Sequence, residues 1–198
     1  MLKKMLVTTL ALTGLMTLTN TGAMASSDGP NYSDVGGSGA AVYPGSSVSV
    51  RPGDILVTDS VSSNGFTGHA GIVVDYSGNV VSIAGYGYYP KKTSISTWFG
   101  SYPDEKVVRL NDTASAQSAA NWASSFVINH SDVPYGMSDI GDPYDETYCS
   151  KIVWDAYQFG ANVTLPFYYD MFFAYNLVAP YSLLDAPNSN IVFSNADF

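Results

Sequence analysis

Tyr148-Cys149-Ser150-Lys151-Ile152-Val153-Trp154-Asp155-Ala156-Tyr157 is the stretch on which the fold turns, and it holds the chain's one cysteine. Ile152, Val153 and Ala156 stand three, four and seven positions after Cys149, the spacing of one helical face. Cys149 therefore opens a helix whose apolar stripe points inward, and the sulfur points with it. Unpaired N–H groups give a helix start a partial positive charge, which favours the thiolate of a group whose free pKa is roughly 8.5. A free cysteine is also a common small filler of apolar cores. The helix by itself leaves nucleophile and filler evenly matched.

A cysteine nucleophile needs a base within hydrogen-bond reach, and histidine is the usual one. The chain has two histidines. His69 opens the alternating run from His69 to Tyr76, with Ala70, Ile72 and Val74 on one side and His69, Gly71, Val73 and Asp75 on the other. Gly68 and Gly71 leave space beside the ring. His130 ends a helix expected from about Ala114 to Asn129, capped by Asn111-Asp112-Thr113 and burying Ala120, Ala123, Phe126 and Val127; there it reads as a cap that complements the helix dipole. Ser77-Gly78 is the expected turn and Asn79 to Ala84 the returning strand. Ile55 to Thr58, Lys106 to Leu110 and Ile191 to Phe193 are further strands, and Asp59 to Gly68 is a loop. Strands and helices are partly segregated along the chain, which predicts an α+β fold.

The chain opens with Met1-Leu2-Lys3-Lys4, an apolar run from Met5 to about Leu18, and Ala23-Met24-Ala25 before Ser26. That pattern describes a secretory signal peptide over residues 1–25. Residues 26–50 are rich in Gly and Ser and read as a flexible leader, and residues 51–198 as one domain. The apolar run is too short to span a membrane, and no later stretch is longer. Eight Lys and Arg stand against 17 Asp and Glu, a net charge of −9 that grows more acidic once Lys3 and Lys4 are lost. Nucleic acid is excluded as a partner, because phosphate binding needs clustered Lys and Arg. One cysteine cannot form an internal disulfide. Two histidines and one cysteine do not make a zinc site, and Asp139, Asp142, Asp145 and Glu146 lack the spacing of a calcium loop. No cofactor and no metal is expected, and a monomer is the expected state.

Arg51-Pro52-Gly53-Asp54-Ile55-Leu56, Gly68-His69-Ala70-Gly71-Ile72-Val73-Val74 and Tyr148-Cys149-Ser150 together resemble the circularly permuted branch of the NlpC-type papain-like cysteine hydrolases, the YiiX-like amidases. The similarity covers roughly Pro52 to Leu165. Unpermuted relatives place the cysteine helix before the histidine strand; here His69 comes first. The resemblance implies an antiparallel sheet packed against helices, with Cys149 at a helix start and His69 on a facing strand. It implies attack by Cys149 on an amide or ester carbonyl, with His69 moving the proton. The oxyanion would be held by the backbone N–H of Cys149 and, through a loose match of Pro134-Tyr135-Gly136 to a family motif, by Tyr135. As one of 15 tyrosines, Tyr135 is also open to a plain packing role. Tyr148 shapes the start of the helix. Relatives orient the histidine with His, Asn, Gln or Glu, whereas the matching position here is Ser82, a hydroxyl without charge. Counting through the turn sets Val73 opposite Ser82, so contact with His69 requires a bulge or another register. Asn79, Asn64, a backbone carbonyl or a water are the alternatives.

Three functions follow. The first is a secreted bacterial cysteine amidase or peptidase acting on peptidoglycan stem peptides or a related cell-envelope amide, a substrate implied by the unpermuted relatives. Permuted papain-like proteins also resemble lecithin:retinol acyltransferase. The aromatic tail (Phe167, Tyr168, Tyr169, Phe172, Phe173, Tyr175, Tyr181) suits a lipid chain. A lipid or ester acyl hydrolase or acyltransferase is thus the second reading. The third is a cell-wall or host-interaction module whose active site has decayed, which the hydroxyl at position 82 supports.

Overall fold

Strand alternation divides the apolar side chains of this chain between two layers, one on each face of a single sheet. A computed structural model describes residues 39–60 and 68–198. The expected signal peptide, the first part of the expected leader and Asn64 lie outside the described residues. The elements run β1 (Ile55–Thr58), β2 (His69–Val73), β3 (Asn79–Ser82), β4 (Lys91–Ser94), α1 (Ile95–Ser101), β5 (Glu105–Leu110), α2 (Thr113–Asn129), α3 (Cys149–Ala161), β6 (Tyr168–Asp170), β7 (Tyr175–Leu177), a 3-10 turn (Pro180–Asp185) and β8 (Ser189–Ser194). Six strands form one sheet in the order β4-β3-β2-β1-β5-β8, every neighbouring pair antiparallel, and β6 and β7 form a separate hairpin. This is the expected α+β architecture, a large antiparallel sheet packed against helices.

Ile55, Val57, Ala70, Ile72, Val81 and Val108 face α2 and α3, while Leu56, Val73, Val80 and Val107 face α1 together with Tyr43 and Val50. β1, β2, β3 and β5 thus bury both faces. Asp112 caps α2 by accepting from the N–H groups of Ala114 and Ser115, and α3 stops at Asn162 in the left-handed conformation. β4 and α1 carry no apolar period that sequence reading would catch. β4 is an edge strand whose Lys91 and Lys92 are exposed, a composition that discourages pairing with another chain.

Two expectations change. The β2–β3 turn is wider than Ser77-Gly78, closed by Val74 N–H on Asn79 O and Gly78 N–H on Asp75 O. Val73 therefore pairs with Val80 rather than with Ser82. The described part of the expected leader, 39–50, packs into the domain. Tyr43 and Val50 are fully buried, Val42 bridges Ser49, and Tyr43 donates its hydroxyl to Asp54 at 2.5 Å. An irregular strap of this kind has no period to read, which is why its packing is invisible in the sequence.

Asp54 is the hub of that strap. Its carboxylate takes Arg109 Nε and Nη2, each at 2.7 Å, and the Arg51 N–H at 2.9 Å. Arg109 also donates to Ser49 O, and Tyr157 of α3 donates its hydroxyl to Gly53 O. The Arg-Pro-Gly-Asp motif is therefore a structural junction joining the strap, β1, β5 and α3. Asp54→Ala leaves a half-buried guanidinium and a buried phenol without their acceptor, and is expected to cost about 3–5 kcal/mol. Tyr43→Phe removes one hydrogen bond and is expected to cost about 1–2 kcal/mol. Urea unfolding checks both; an Asp54→Ala midpoint equal to wild type would show that the junction does not hold the strap.

Candidate active site

Because Ile72 pairs with Val81, Ser82 falls beside Gly71, which has no side chain to block it. Ser82 Oγ lies 3.1 Å from His69 Nε2 and donates to Ala70 O at 2.7 Å. A carbonyl only accepts, so the one hydroxyl proton goes to Ala70. Nε2 then carries the ring proton and donates it to Ser82, and Nδ1 is left with a lone pair. Ser82 thus touches His69 without a bulge, through the shifted register. Asn79, the alternative orienter, donates instead to Asp75. His69 stacks on Trp98 with centroids 5.0 Å apart and lies 4.7 Å from Tyr102. Burial alone pulls the imidazole down to about 4, so the ring is neutral at pH 7. His69, Ser82, Lys91, Thr97 and Trp98 line a small cleft of about 80 Å³.

Cys149 is the first residue of α3 and is 7 % exposed. The preceding Tyr148 makes no side-chain cap, so the first N–H groups of the helix are left for other acceptors. Tyr148 Oη accepts from the Val178 N–H and Ser150 Oγ donates to Val178 O, which fixes the helix start from both sides of the sulfur. Backbone N–H groups of Ala70 and Ser150 face the sulfur and favour its thiolate. Burial outweighs those donors and pushes the thiol up, which reverses the expectation of a lowered pKa at the helix start. Tyr135 is held by a bridge to Thr147 and packs on Tyr86 at 4.7 Å. Burial, then the neighbouring Cys149, raises its phenol.

His69 and Cys149 lie on opposite faces of the sheet. The ring lies on the Trp98 side of β2 and the sulfur in the core on the Ala70 side. Ala70 joins them, its carbonyl to Ser82 and its N–H to the sulfur. Among the described residues no hydrogen bond links the sulfur to the imidazole; catalytic hydrogen bonds are often completed only when substrate binds. A family model described as "Lipoprotein N-acylation protein LnsA-like" matches residues 5–189. The chain belongs to this LnsA-like family. A Bacillus thuringiensis protein called "Uncharacterized 30.3 kDa protein" is 29% identical over 150 residues, 69% of this chain and 53% of that protein, so the chain spans about half the length of this curated relative. The fold is also that of metalloprotein yiiX from Escherichia coli O157:H7, at TM-score 0.57 and 20% identity over 74% of this chain and 98% of that one. Among the described residues of this LnsA-like chain, no three His, Cys, Asp or Glu side chains are grouped to hold a metal, so the described donors do not fit one.

Other residues singled out in this LnsA-like chain have structural places. His130 is the C-cap of α2 and packs on Tyr144. Asp139 accepts from the Asn176 N–H, and fully buried Lys151 donates to Asp142 O at 2.6 Å and to Asp155 at 2.9 Å. The loop before Cys149 is thereby tied to α3 from beneath. Burial pushes Asp155 up to about 6 although Lys151 opposes it. Sequence reading missed Glu105. Thr58 pairs with both His69 and Glu105, so the three share one face of β2, β1 and β5. Trp98 spans the row, stacked on His69 and donating Nε1–H to Glu105 Oε1 at 2.7 Å. Glu105 is fully buried, and its Oε2 has no partner among the described residues. Burial pushes the carboxyl up to about 9, against the Trp98 N–H, so it is neutral at pH 7. Period-two counting from Val107 through Glu105 was the available signal.

Folding raises the Glu105 pKa, so the stability it contributes is full below about 4.5 and is lost as pH climbs toward 9. His69 runs the other way: its pKa is lowered, and its contribution is full above about 6.5 and lost as pH falls toward 4. Between about pH 6.5 and 8.5 the Glu105 effect acts without that opposition. Wild-type stability is expected to fall there by up to roughly 1.4 kcal/mol per pH unit, and Glu105→Gln to flatten the slope, read by urea unfolding across the window. A second test is Gly71→Ala. The added Cβ would lie 2.7 Å from Val80 Cγ1 and 2.8 Å from Trp98 Cη2. A loss of about 1–3 kcal/mol is expected, with the Trp98 emission shifted; unchanged stability and emission would show that the stack does not need the glycine.

Proposed function

We propose that this protein is a cysteine acyltransferase that carries an acyl group from a lipid ester, through a thioester on Cys149, to an amine. The observation that carries it is the Ala70 junction, where one residue of β2 seats the sulfur of Cys149 and, through Ser82, sets the tautomer of His69. Membership of a family described by lipoprotein N-acylation supports an acyl donor and an amino acceptor. The papain-like, permuted NlpC-type reading belongs to the same proposal, supported by the order of His69 and Cys149 and by the yiiX-like fold.

His69 Nδ1 takes the thiol proton as sulfur attacks the ester carbonyl. The oxyanion accepts from the Cys149 N–H and from the Tyr135 hydroxyl. Collapse expels the alcohol, which takes the proton back from Nδ1, and leaves an acyl-thioester. An amine then adds to the thioester and gives its proton to Nδ1. Collapse forms the amide, and the departing sulfur recovers the proton. Water in place of the amine makes the same site a hydrolase. The second reading, amide hydrolysis in cell-envelope peptides, uses the same residues and rests on the secretory pattern of residues 1–25. Export from the cell is part of both proposals; no helix among the described residues is long and apolar enough to cross a membrane.

Incubation with a phospholipid and an amino-terminal lipopeptide, followed by intact-mass analysis, is expected to show one acyl group on Cys149 and then on the lipopeptide. Release of muropeptide fragments without any acyl-Cys149 would end the transferase reading in favour of the amidase. Cys149→Ala is expected to abolish turnover, His69→Ala to lower kcat/KM by roughly 10²–10⁴, and Ser82→Ala by about tenfold.

The resting pair is a neutral thiol beside a neutral imidazole, because burial raises one group and lowers the other. Alkylation of Cys149 by iodoacetamide is therefore expected to keep rising with pH beyond 9. A plateau already reached at pH 6 would instead reveal a thiolate–imidazolium pair at rest.

A further inference from the structure

The β6–β7 hairpin carries a tip that nothing in the acyl-transfer chemistry uses. Met171 is 90 % and Phe172 88 % exposed, with Tyr169 and Phe167 exposed behind them. The tip is built rather than loose: Asp170 accepts from the N–H groups of Phe172 and Phe173, Ala174 donates to Asp170 O, and Ala174 sits in the left-handed region at φ 59°. Presenting these side chains to an apolar partner therefore requires little further ordering. The base of the hairpin is anchored beside the nucleophile. Tyr175 donates to Met137 O, Asn176 donates to Asp139, and Val178, just past β7, is gripped by Tyr148 and Ser150 on either side of Cys149.

We infer that this hairpin docks the protein on a lipid surface, with Met171 and Phe172 entering the acyl-chain region of a neutral or zwitterionic layer. Three observations select that occupant. Apolar side chains project at the tip while Tyr168, Tyr169 and Tyr175 lie behind it, the order in which a bilayer passes from hydrocarbon to headgroup. Residues 166–178 contain no Lys or Arg, and the acidic chain offers anionic lipids no attraction. The single carboxylate of the segment, Asp170, is occupied within the turn and does not form the polar rim of a protein interface. The inference rests on the lipid-ester reading only for its purpose: the docked tip brings the flank of Cys149 to a donor held in the layer.

The test uses the full chain carrying Phe172→Trp and phosphatidylcholine vesicles with brominated acyl chains. Emission of the added indole is expected to shift to the blue and to be quenched by the brominated vesicles, while wild-type emission, from Trp98, Trp122 and Trp154, changes little. Added emission that is the same with and without vesicles overturns the proposal. Met171→Ser with Phe172→Ser is expected to lower turnover of a vesicle-held ester by roughly tenfold or more, leaving a soluble short-chain ester untouched. Equal loss on both esters overturns it, as does a concentration-dependent dimer that the double variant abolishes. Quenching without turnover of either ester supports docking and removes the acyl-transfer reading; turnover of the soluble ester without quenching does the reverse.

Discussion

The backbone of one residue, Ala70, is the constraint on which the site depends. β3 stops at Ser82, beside Gly71, so the Ala70 N–H and C=O on that edge have no strand to pair with. A buried peptide group left unpaired costs free energy comparable to a lost hydrogen bond. The fold resolves this with chemistry instead of another strand: the carbonyl takes the Ser82 hydroxyl and the N–H turns to the sulfur of Cys149. A shortfall of strand pairing thereby ties Ser82, and through it the His69 ring, to the same residue whose N–H faces the Cys149 sulfur.

Around that point the electrostatics are set by burial, not by countercharge. The imidazole is held neutral with no anion against it, the Glu105 carboxyl is held neutral below Trp98, and the thiol is held protonated in spite of the backbone N–H groups that face it. Full charges are placed elsewhere. Asp54 and Arg109 form the bidentate junction that binds the strap to the sheet, and Lys151 with Asp155 braces the loop ahead of Cys149. Charge in this protein does structural work, while the site relies on neutral hydrogen bonds and stacked rings. The absence of a carboxylate or amide at position 82 fits this pattern, since a neutral imidazole needs an acceptor for its N–H and not a counterion.

Much of the frame was legible from residues alone. β1 spans Ile55–Thr58 as read, α2 and α3 start within a residue of their expected positions, and the helical spacing after Cys149 buries Ile152, Val153 and Ala156. Period and capping chemistry are local, and local signals survive folding. Register is not local. Placing Ser82 against His69 depended on a turn two residues wider than its Ser-Gly signature, because Asp75 and Asn79 close it with their own side chains. Trp98 and Glu105 were hidden for a related reason: α1 is short, Glu105 resembles a solvated strand end, and only the sheet brings Thr58 between Glu105 and His69. The strap around Tyr43 escaped because a Gly- and Ser-rich composition hides a single anchoring phenol.

The way Cys149 is kept has a consequence for durability. Peroxides oxidise thiolates far faster than thiols, and sulfenic acid forms first where sulfur is both ionised and open to solvent. A sulfur that is 7 % exposed and held in the protonated form offers an oxidant neither condition. The thiol is therefore kept in an unreactive state, and any movement that uncovers it for a reaction partner also exposes it to oxidation.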